Sequence, residues 1–319
     1  MAREATANPR ERLAPMKAKL TERRFDDPSW IFERKLDGVR AIVVKTDGEV
    51  RLVSRNGLRL RSYPELEEAL AEDPADDFLA DGEIVAFEDG RTSFARLQGR
   101  MQIQDPEQAR STGIAVFLYL FDLLSFDGHD LRRLPLRKRK ALLRRALSFA
   151  GPVRYTQHRN EHGRRFFREA CEKGWEGLIA KRADSPYVSA RSGDWLKLKC
   201  SREQELVIGG FTLPKGSRER FGALLVGYYE GGELRYAGKV GTGFDARTLA
   251  LLGDRLAALE TDEAPFARAE LPRDARWVRP ELVGQFAFGE WTGDGKLRHP
   301  RYLGLRDDKD PLEVVREQA

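Results

Sequence analysis

Apolar and polar positions along most of the chain change over in short runs, the mark of strands rather than helices. Trp30–Phe32 predicts a strand running into a loop at Lys35. Val39–Val44 alternates into a second strand, Asp47-Gly48 signals a hairpin turn, and Val50–Ser54 returns as the partner. Phe78–Leu79 and Ile84–Phe87 predict two short strands flanking Asp81-Gly82-Glu83. Ile114–Leu124 is a long apolar run suited to a buried central strand. Leu136–Leu147 has helical periodicity, with Leu136, Leu142, Leu143 and Leu147 apolar and Arg or Lys between them. In Asp194–Lys199, Trp195, Leu196 and Leu198 interleave with Lys197 and Lys199 as in a strand.

The pattern shifts near Ser201–Glu205. Beyond it Leu206–Phe211, Ala223–Tyr229, Leu234–Val240 and Gly284–Trp291 form strands separated by glycine-rich turns. A single helix, Ala246–Leu259, interrupts them, with Asp245 as its N-cap. Five or so strands and a helix suit a small Greek-key barrel such as the OB-fold. The 319 residues exceed what one hydrophobic core usually spans, so two domains are expected, 1–202 and 203–319.

Composition narrows the class. A charged fraction of 34% beside a hydrophobic fraction of 41% suits a folded, soluble chain. The net charge of +5 is modest, but basic residues cluster from Arg132 to Arg145, which fits a polyanionic partner as well as it fits a solvated helix face. Two cysteines, Cys171 and Cys200, are too few for a disulfide framework or a four-thiolate zinc site. No stretch has signal-peptide or membrane-helix length, so a reducing, cytoplasmic setting and no membrane partner are expected. His158 and His162 are four apart but lack the company of a metal site. With His129 and His299 they read as turn or surface residues.

Several short strings carry chemistry. Lys35-Leu36-Asp37-Gly38 places a lysine before a tight turn. A lysine amine becomes a nucleophile near neutral pH when burial or neighbouring cations depress its pKa. Arg40, and Arg55 in Ser54-Arg55-Asn56-Gly57, are candidate ribose and phosphate contacts. Glu83 in Asp81-Gly82-Glu83, and Glu176 in Glu176-Gly177-Leu178-Ile179-Ala180-Lys181, are candidate metal and ribose ligands. Phe121 could stack on a base. Lys197 and Lys199, two apart on a strand, point to one face, which is costly unless an anion sits there. Alone, each has a duller account: Arg55 decorates a turn, the glutamates are surface carboxylates, Phe121 is core, and the two lysines guard an edge strand. Together, and in one order, they describe covalent nucleotidyl transfer.

That ordered series, KLDGVR, SRNG, DGEIVAF, FLYLFDLL, EGLIAKR and WLKLK, resembles the motifs of ATP-dependent DNA ligases in the covalent nucleotidyltransferase superfamily. Gly304-Leu305-Arg306-Asp307-Asp308-Lys309 resembles the last ligase motif, and RADSPY with RHPRYLGLRDDKDP looks most like the ligase domain of bacterial ligase D, of non-homologous end joining. The resemblance implies an α+β fold: a nucleotidyltransferase domain of ATP-grasp-like, antiparallel sheets, then an OB-fold barrel. It implies that Lys35 becomes adenylylated and that Glu33 recognises the adenine amine. Arg40, Arg55 and Lys181 contact the nucleotide, Phe121 stacks on adenine, Glu83 and Glu176 serve ribose and metal, and Lys197 and Lys199 meet the α-phosphate. Arg306, Asp308 and Lys309 orient pyrophosphate.

It further implies ATP as AMP donor, Mg²⁺ or Mn²⁺, and sealing of a 5′-phosphate to a 3′-hydroxyl in nicked or broken duplex by a monomer in the bacterial nucleoid. Ku and a primase-polymerase follow as partners from the resemblance alone. No further N-terminal DNA-binding, polymerase or nuclease domain is expected within the chain. A hinge near Ser201–Glu205 is expected to let the second domain rotate between steps. DNA contacts are sought in Arg137–Arg145 and in Lys215, Arg218 and Arg220. One departure is Pro15-Met16-Lys17-Ala18, where such ligases often have Pro-Met-Leu-Ala, which puts one contact under the nucleotide in doubt. An RNA ligase or a GTP-using capping guanylyltransferase shares this core chemistry, and a catalytically silent DNA-binding scaffold would share the fold.

Overall fold

The computed structural model describes residues 14–214, 220–267 and 269–317. It divides into two compact units, the first ending at Cys200 and the second beginning at Ser201. The main strands of the first unit are Lys17–Leu20 (β1), Asp27–Lys35 (β2), Val39–Thr46 (β3), Glu49–Ser54 (β4), Phe78–Glu88 (β5), Val116–Phe126 (β6), His158–Glu161 (β7), Gly177–Arg182 (β8) and Arg191–Lys199 (β9). Its helices include Pro64–Ala71 (α1), Phe94–Met101 (α2), Leu136–Ala146 (α3) and Gly163–Glu172 (α4).

One sheet runs in the order β1-β9-β8-β2-β7, and another is built on β4-β3-β5-β6. The second is antiparallel along that path, and side-chain alternation gives it two apolar faces. Val39, Ala41, Val43, Ile84, Leu118 and Leu120 pack on one face with Leu66 of α1, Leu97 of α2 and Leu143 of α3. Ile42, Val44, Leu79 and Phe121 pack on the other with Tyr187 and with Trp195 of β9, so this face meets the first sheet. The outer face of the first sheet, with Trp30, Phe32, Leu178 and Leu198, is covered by Phe166 and Ala170 of α4. The inner faces of the two sheets are thereby turned toward one another.

The structure departs from the sequence expectations in several places, and the strand expected over Gly284–Trp291 runs instead from Ala275 to Ala287. Phe78–Leu79 and Ile84–Phe87 are one continuous strand, because Asp81-Gly82-Glu83 pairs on both sides and does not turn. Helices α1, α2 and α4 were not anticipated; each is at most ten residues long, too short to establish a clear period. Cys171, in α4, is disulfide-bonded to Cys200, just after β9. Spacing gave no hint of that pair, since 29 residues separate the two.

In the second unit, Glu203–Thr212 (β10), Leu224–Glu230 (β11), Glu233–Val240 (β12) and Ala275–Ala287 (β13) form an antiparallel sheet in the order β13-β10-β11-β12, with Arg301–Leu305 (β14) on β13. The helix Ala246–Ala258 (α5) begins at Asp245, whose carboxylate accepts from the Thr248 amide. Leu252 and Leu256 of α5 join Leu206, Ile208, Val226 and Phe286 in the core.

Candidate active site

Strand register assembles the first wall. Across β2, β8 and β9 the residues align in rows: Lys35 with Gly177 with Lys199, and Glu33 with Ile179 with Lys197. Residues two apart on a strand share a face, so Lys35, Glu33, Lys197 and Lys199 all project from one side of the sheet. Gly177 leaves a trough between Lys35 and Lys199. Only glycine fits there: φ is +150°, and an added Cβ would lie 1.9 Å from the Leu198 carbonyl oxygen.

The loop after Lys35 is pinned to the second sheet. The Asp37 amide donates to Thr92 Oγ1 at 3.2 Å, and the Asp37 carboxylate accepts from the Phe94 amide at 3.2 Å. Gly38 follows because a Cβ at that position would come within 2.1 Å of the Ile84 carbonyl oxygen. The Lys35-x-Asp-Gly string is therefore a close backbone crossing, with a lysine at its edge.

Lys35 Nζ lies 2.5 Å from Glu176 Oε1. Burial acts to lower the ammonium's pKa, but Glu176, its hydrogen bond, Asp37 and Glu83 together outweigh burial and raise it above the ordinary lysine value. The condition for a nucleophilic lysine, a depressed pKa, is not met while Glu176 holds the amine. In this arrangement Lys35 is a firmly held ammonium.

The facing wall comes from the second sheet, where Arg40, Glu83 and Tyr119 align across β3, β5 and β6. Arg40 makes two bonds to Asp81, at 2.5 and 2.6 Å, and donates to the Met16 carbonyl at 3.3 Å. The Tyr187 hydroxyl donates to the same Asp81 at 2.6 Å and accepts from the Met16 amide at 2.9 Å. The guanidinium lies 4.6 Å from the Phe121 ring. Phe121 itself is the extra residue of a β-bulge opposite Asp81-Gly82. Bulges re-aim side chains, and this one turns the ring toward Trp195, 6.1 Å away.

Between the walls is a buried ion cluster. Glu33, 2% exposed, is met by Lys140 from α3 at 2.5 Å and by Lys181 from β8 at 2.6 Å. Burial opposes the charge on Glu33, but the two lysines overcome it and hold the carboxyl below its usual range. Lys181 is pushed down to about 8, first by burial and then by Lys140, against the pull of Glu33. Its amine sits 4.1 Å from the Phe121 ring and 4.2 Å from that of Trp195. His158 pairs with Glu33 across β7 and β2, and burial followed by Lys140 lowers its pKa to about 4. Burial with no polar partner leaves its Nδ1, the Thr156 hydroxyl and the Trp195 indole N–H unsatisfied around this cluster.

The remaining candidates are placed as follows. Arg55 lies in the turn after β4, next to Asn56, whose side chain accepts from it at 3.4 Å. In the second unit Arg306 makes two bonds of 2.9 Å to Asp308, and Lys309 lies 3.0 Å from Glu205. Of the basic run, Arg139 and Lys140 are buried, not turned to a polyanion: Arg139 grips Asp122 at 2.7 and 2.8 Å. The helix needs them inward because two carboxylates wait there. Lys215 and Arg218 lie outside the described residues; Arg220 pairs with Asp254 at 2.8 Å.

Sequence reasoning missed Asp81, Lys140, Tyr187 and Thr156, and it placed His158 at the surface. The available signal was slight: a period-3.6 reading of Leu136–Leu147 puts Lys140 one turn beyond Leu136, on the apolar face.

Three cations on one sheet face, Lys35, Lys197 and Lys199, with Glu176, Asp37 and Glu83 acting on the first, suit a bound polyphosphate and an attacking amine. Among the described residues no three His, Cys, Asp or Glu side chains gather into a metal cage. One or two carboxylates completed by phosphate oxygens is the donor set Mg²⁺ ordinarily takes, so Glu83 and Glu176 fit such an ion.

A family model described as ATP dependent DNA ligase domain matches residues 14–199, and one described as ATP dependent DNA ligase C terminal region matches 217–309. The multifunctional non-homologous end joining protein LigD of Pseudomonas aeruginosa is 40% identical over 97% of the chain, and its Mycobacterium tuberculosis counterpart 40% identical over 96%. The chain spans about two-fifths of the length of these curated relatives, 37% and 40% respectively. A solved mycobacterial DNA ligase D, complexed with ATP and MES, is similar over 96% of this chain and 99% of its own, at 36% identity and a TM-score of 0.68. The ligase domain of M. tuberculosis LigD has the same coverage, 37% identity and a TM-score of 0.52.

Proposed function

The chain belongs to the family of ATP-dependent DNA ligases, and from that premise we propose that it seals 5′-phosphate to 3′-hydroxyl junctions in duplex DNA through a lysyl-AMP intermediate at Lys35. The observation that carries this reading is the single row Lys35–Gly177–Lys199, with Glu176 on the Lys35 amine. In the first step the neutral amine attacks the ATP α-phosphorus. A phosphorus–nitrogen bond forms, the bond to the β-phosphate breaks, and pyrophosphate leaves. An oxygen of the DNA 5′-phosphate then attacks the same phosphorus and releases the lysine. Finally the 3′-hydroxyl attacks the 5′-phosphorus and expels AMP.

We assign each residue a task on the strength of the family resemblance and its place in the fold. Lys35 must lose a proton before it attacks, and the ion pair with Glu176, 2.5 Å away, must loosen for it to do so. Lys197 and Lys199 neutralise the α-phosphate. Arg40, Arg55 and Lys181 contact the nucleotide, Phe121 stacks on its base, and Glu33 accepts from the adenine amine. Glu83 and Glu176 would hold a divalent cation, which supplies compensation of negative charge on the phosphates. Arg306, Asp308 and Lys309 of the second, OB-fold unit are proposed for pyrophosphate. The first unit, to about residue 202, is the adenylation domain in this reading.

A role in end joining, with Ku and a primase-polymerase as partners, is proposed from the likeness to LigD. So is a setting in the nucleoid. The test is sealing of a nicked duplex with ATP or GTP, on DNA, RNA and hybrid substrates. Sealing of DNA with ATP alone is expected. Labelling by GTP alone, or sealing confined to RNA, would replace this reading with a capping enzyme or an RNA ligase.

A further inference from the structure

Lys140 has no role in the reaction as described, yet its ammonium is among the most constrained groups in the first unit. An ammonium has three N–H donors, and three oxygens from separate segments meet this one, the first as an ion pair and the other two by hydrogen bonds. They are Glu33 Oε1 at 2.5 Å, the Thr156 carbonyl at 3.1 Å and the Phe121 carbonyl at 3.4 Å. The side chain is 1% exposed. Docking of α3 does not explain it, because neighbouring Arg139 already ties that helix to Asp122 twice and to the Ser185 carbonyl at 2.9 Å.

We infer that Lys140 is a positioning residue for base selection: one amine fixes both the Glu33 carboxylate and the backbone that carries the Phe121 ring. The inference rests on the ligase reading and on the tasks proposed there for Glu33 and Phe121. Lys140 and Lys181 each take one oxygen of Glu33, so the carboxylate is held ionised and in one rotamer. A group fixed in that state only accepts hydrogen bonds. A purine with a 6-amino group offers it a donor, whereas a 6-oxo purine offers an acceptor and is repelled. Sites built to bond one polar group reject the analogue that lacks it far more strongly than apolar pockets do. Removing Lys140 leaves Glu33 one cationic partner and frees both the carboxylate and the bulge beneath Phe121.

The test compares AMP and IMP labelling of Lys35 across a series of ATP and inosine triphosphate concentrations. The proteins are the unaltered chain, Lys140→Met, Lys140→Arg, Glu33→Gln and the double variant Glu33→Gln with Lys140→Met. The ratio of the two kcat/KM values does not depend on the fraction folded, so a partly destabilised variant still reports. Lys140→Met is expected to raise the KM for ATP about tenfold with kcat within about threefold, and to lower the ATP preference about tenfold. Lys140→Arg recovers part of the preference, and the double variant loses no more of it than Glu33→Gln alone. An unchanged preference in Lys140→Met overturns the inference, as does full additivity in the double variant. So does a Lys140→Met chain that fails to fold while Lys140→Arg keeps the full preference. Labelling of the unaltered chain by neither nucleotide would bring down the ligase reading itself, a distinct outcome.

Discussion

The two units bury different things. Among the described residues the first encloses nine charged side chains, including Glu33, Asp81, Asp122, Arg139, Lys140 and Lys181. The second fully encloses no charged residue, only Gln204 and Thr212 among polar ones; its most covered ions are the Arg306–Asp308 pair, and its core is Leu206, Ile208, Val226, Leu252 and Phe286 with their neighbours. Hydrophobic burial therefore dominates the interior of the second unit, whereas the first carries many more ions at considerable desolvation cost. Such cost is tolerated where it presets chemistry: Arg40 on Asp81 and the lysines on Glu33 line the proposed nucleotide site, and Arg139 on Asp122 holds the helix that supplies one of them.

Breaking a buried pair should have the largest effect. Lys or Arg removed from such a pair strands its partner's charge, so Arg139→Met should destabilise the first unit by about 3–5 kcal/mol. In the second unit the worst case is a cavity: Leu252→Ala should cost about 2–4 kcal/mol. Calorimetry that resolves the two transitions checks both, and each substitution should move its own unit's transition. Equal shifts of both transitions would erase the contrast.

Next in size is the charge state of Lys35. Glu176→Gln removes the main group that raises its pKa, so an amine-selective reagent should label Lys35 at least about tenfold faster near pH 9 than in the unaltered chain. Labelling is followed by peptide mass without nucleotide present. No acceleration would mean that burial, and not Glu176, governs the amine.

His158 gives a smaller effect with a defined sign. Its pKa falls from 6.5 to about 4 on folding, so between those values the unfolded chain binds more protons and stability must drop as pH falls. Half-burial discounts the full shift, leaving about 1 kcal/mol. His158→Gln should flatten that slope in denaturant titrations between pH 6.5 and 4, and an unchanged slope would assign it to other groups. Smallest of all should be the exposed pair Arg298–Glu290 in the second unit: Arg298→Met should cost no more than about 0.5 kcal/mol. A larger loss would show that surface ions matter there after all.

This contrast also explains what the sequence could convey. In the second unit the alternation of Leu206–Phe211, Ala223–Tyr229 and Leu234–Val240 reports strands directly, since apolar residues face one core. Asp245 marked the start of α5 for the same local reason. In the first unit Lys35, Glu33, Lys197 and Lys199 were legible as a set through motif order, and their shared face follows from period two. Lys140 was not: a lysine in an Arg/Lys-rich helix looks solvated until Glu33, more than a hundred residues away, is folded against it. His158 was misread for that reason too. The elevated Lys35 pKa depends on Glu176 reaching 2.5 Å, a distance no spacing encodes.

The most direct measurement is the mass of each lysine-bearing peptide after the unaltered chain is incubated with ATP and a divalent cation. An AMP adduct on Lys35, lost on addition of nicked duplex, is the predicted result. An adduct on a different lysine, or none anywhere in a folded and ATP-saturated protein, would contradict the account.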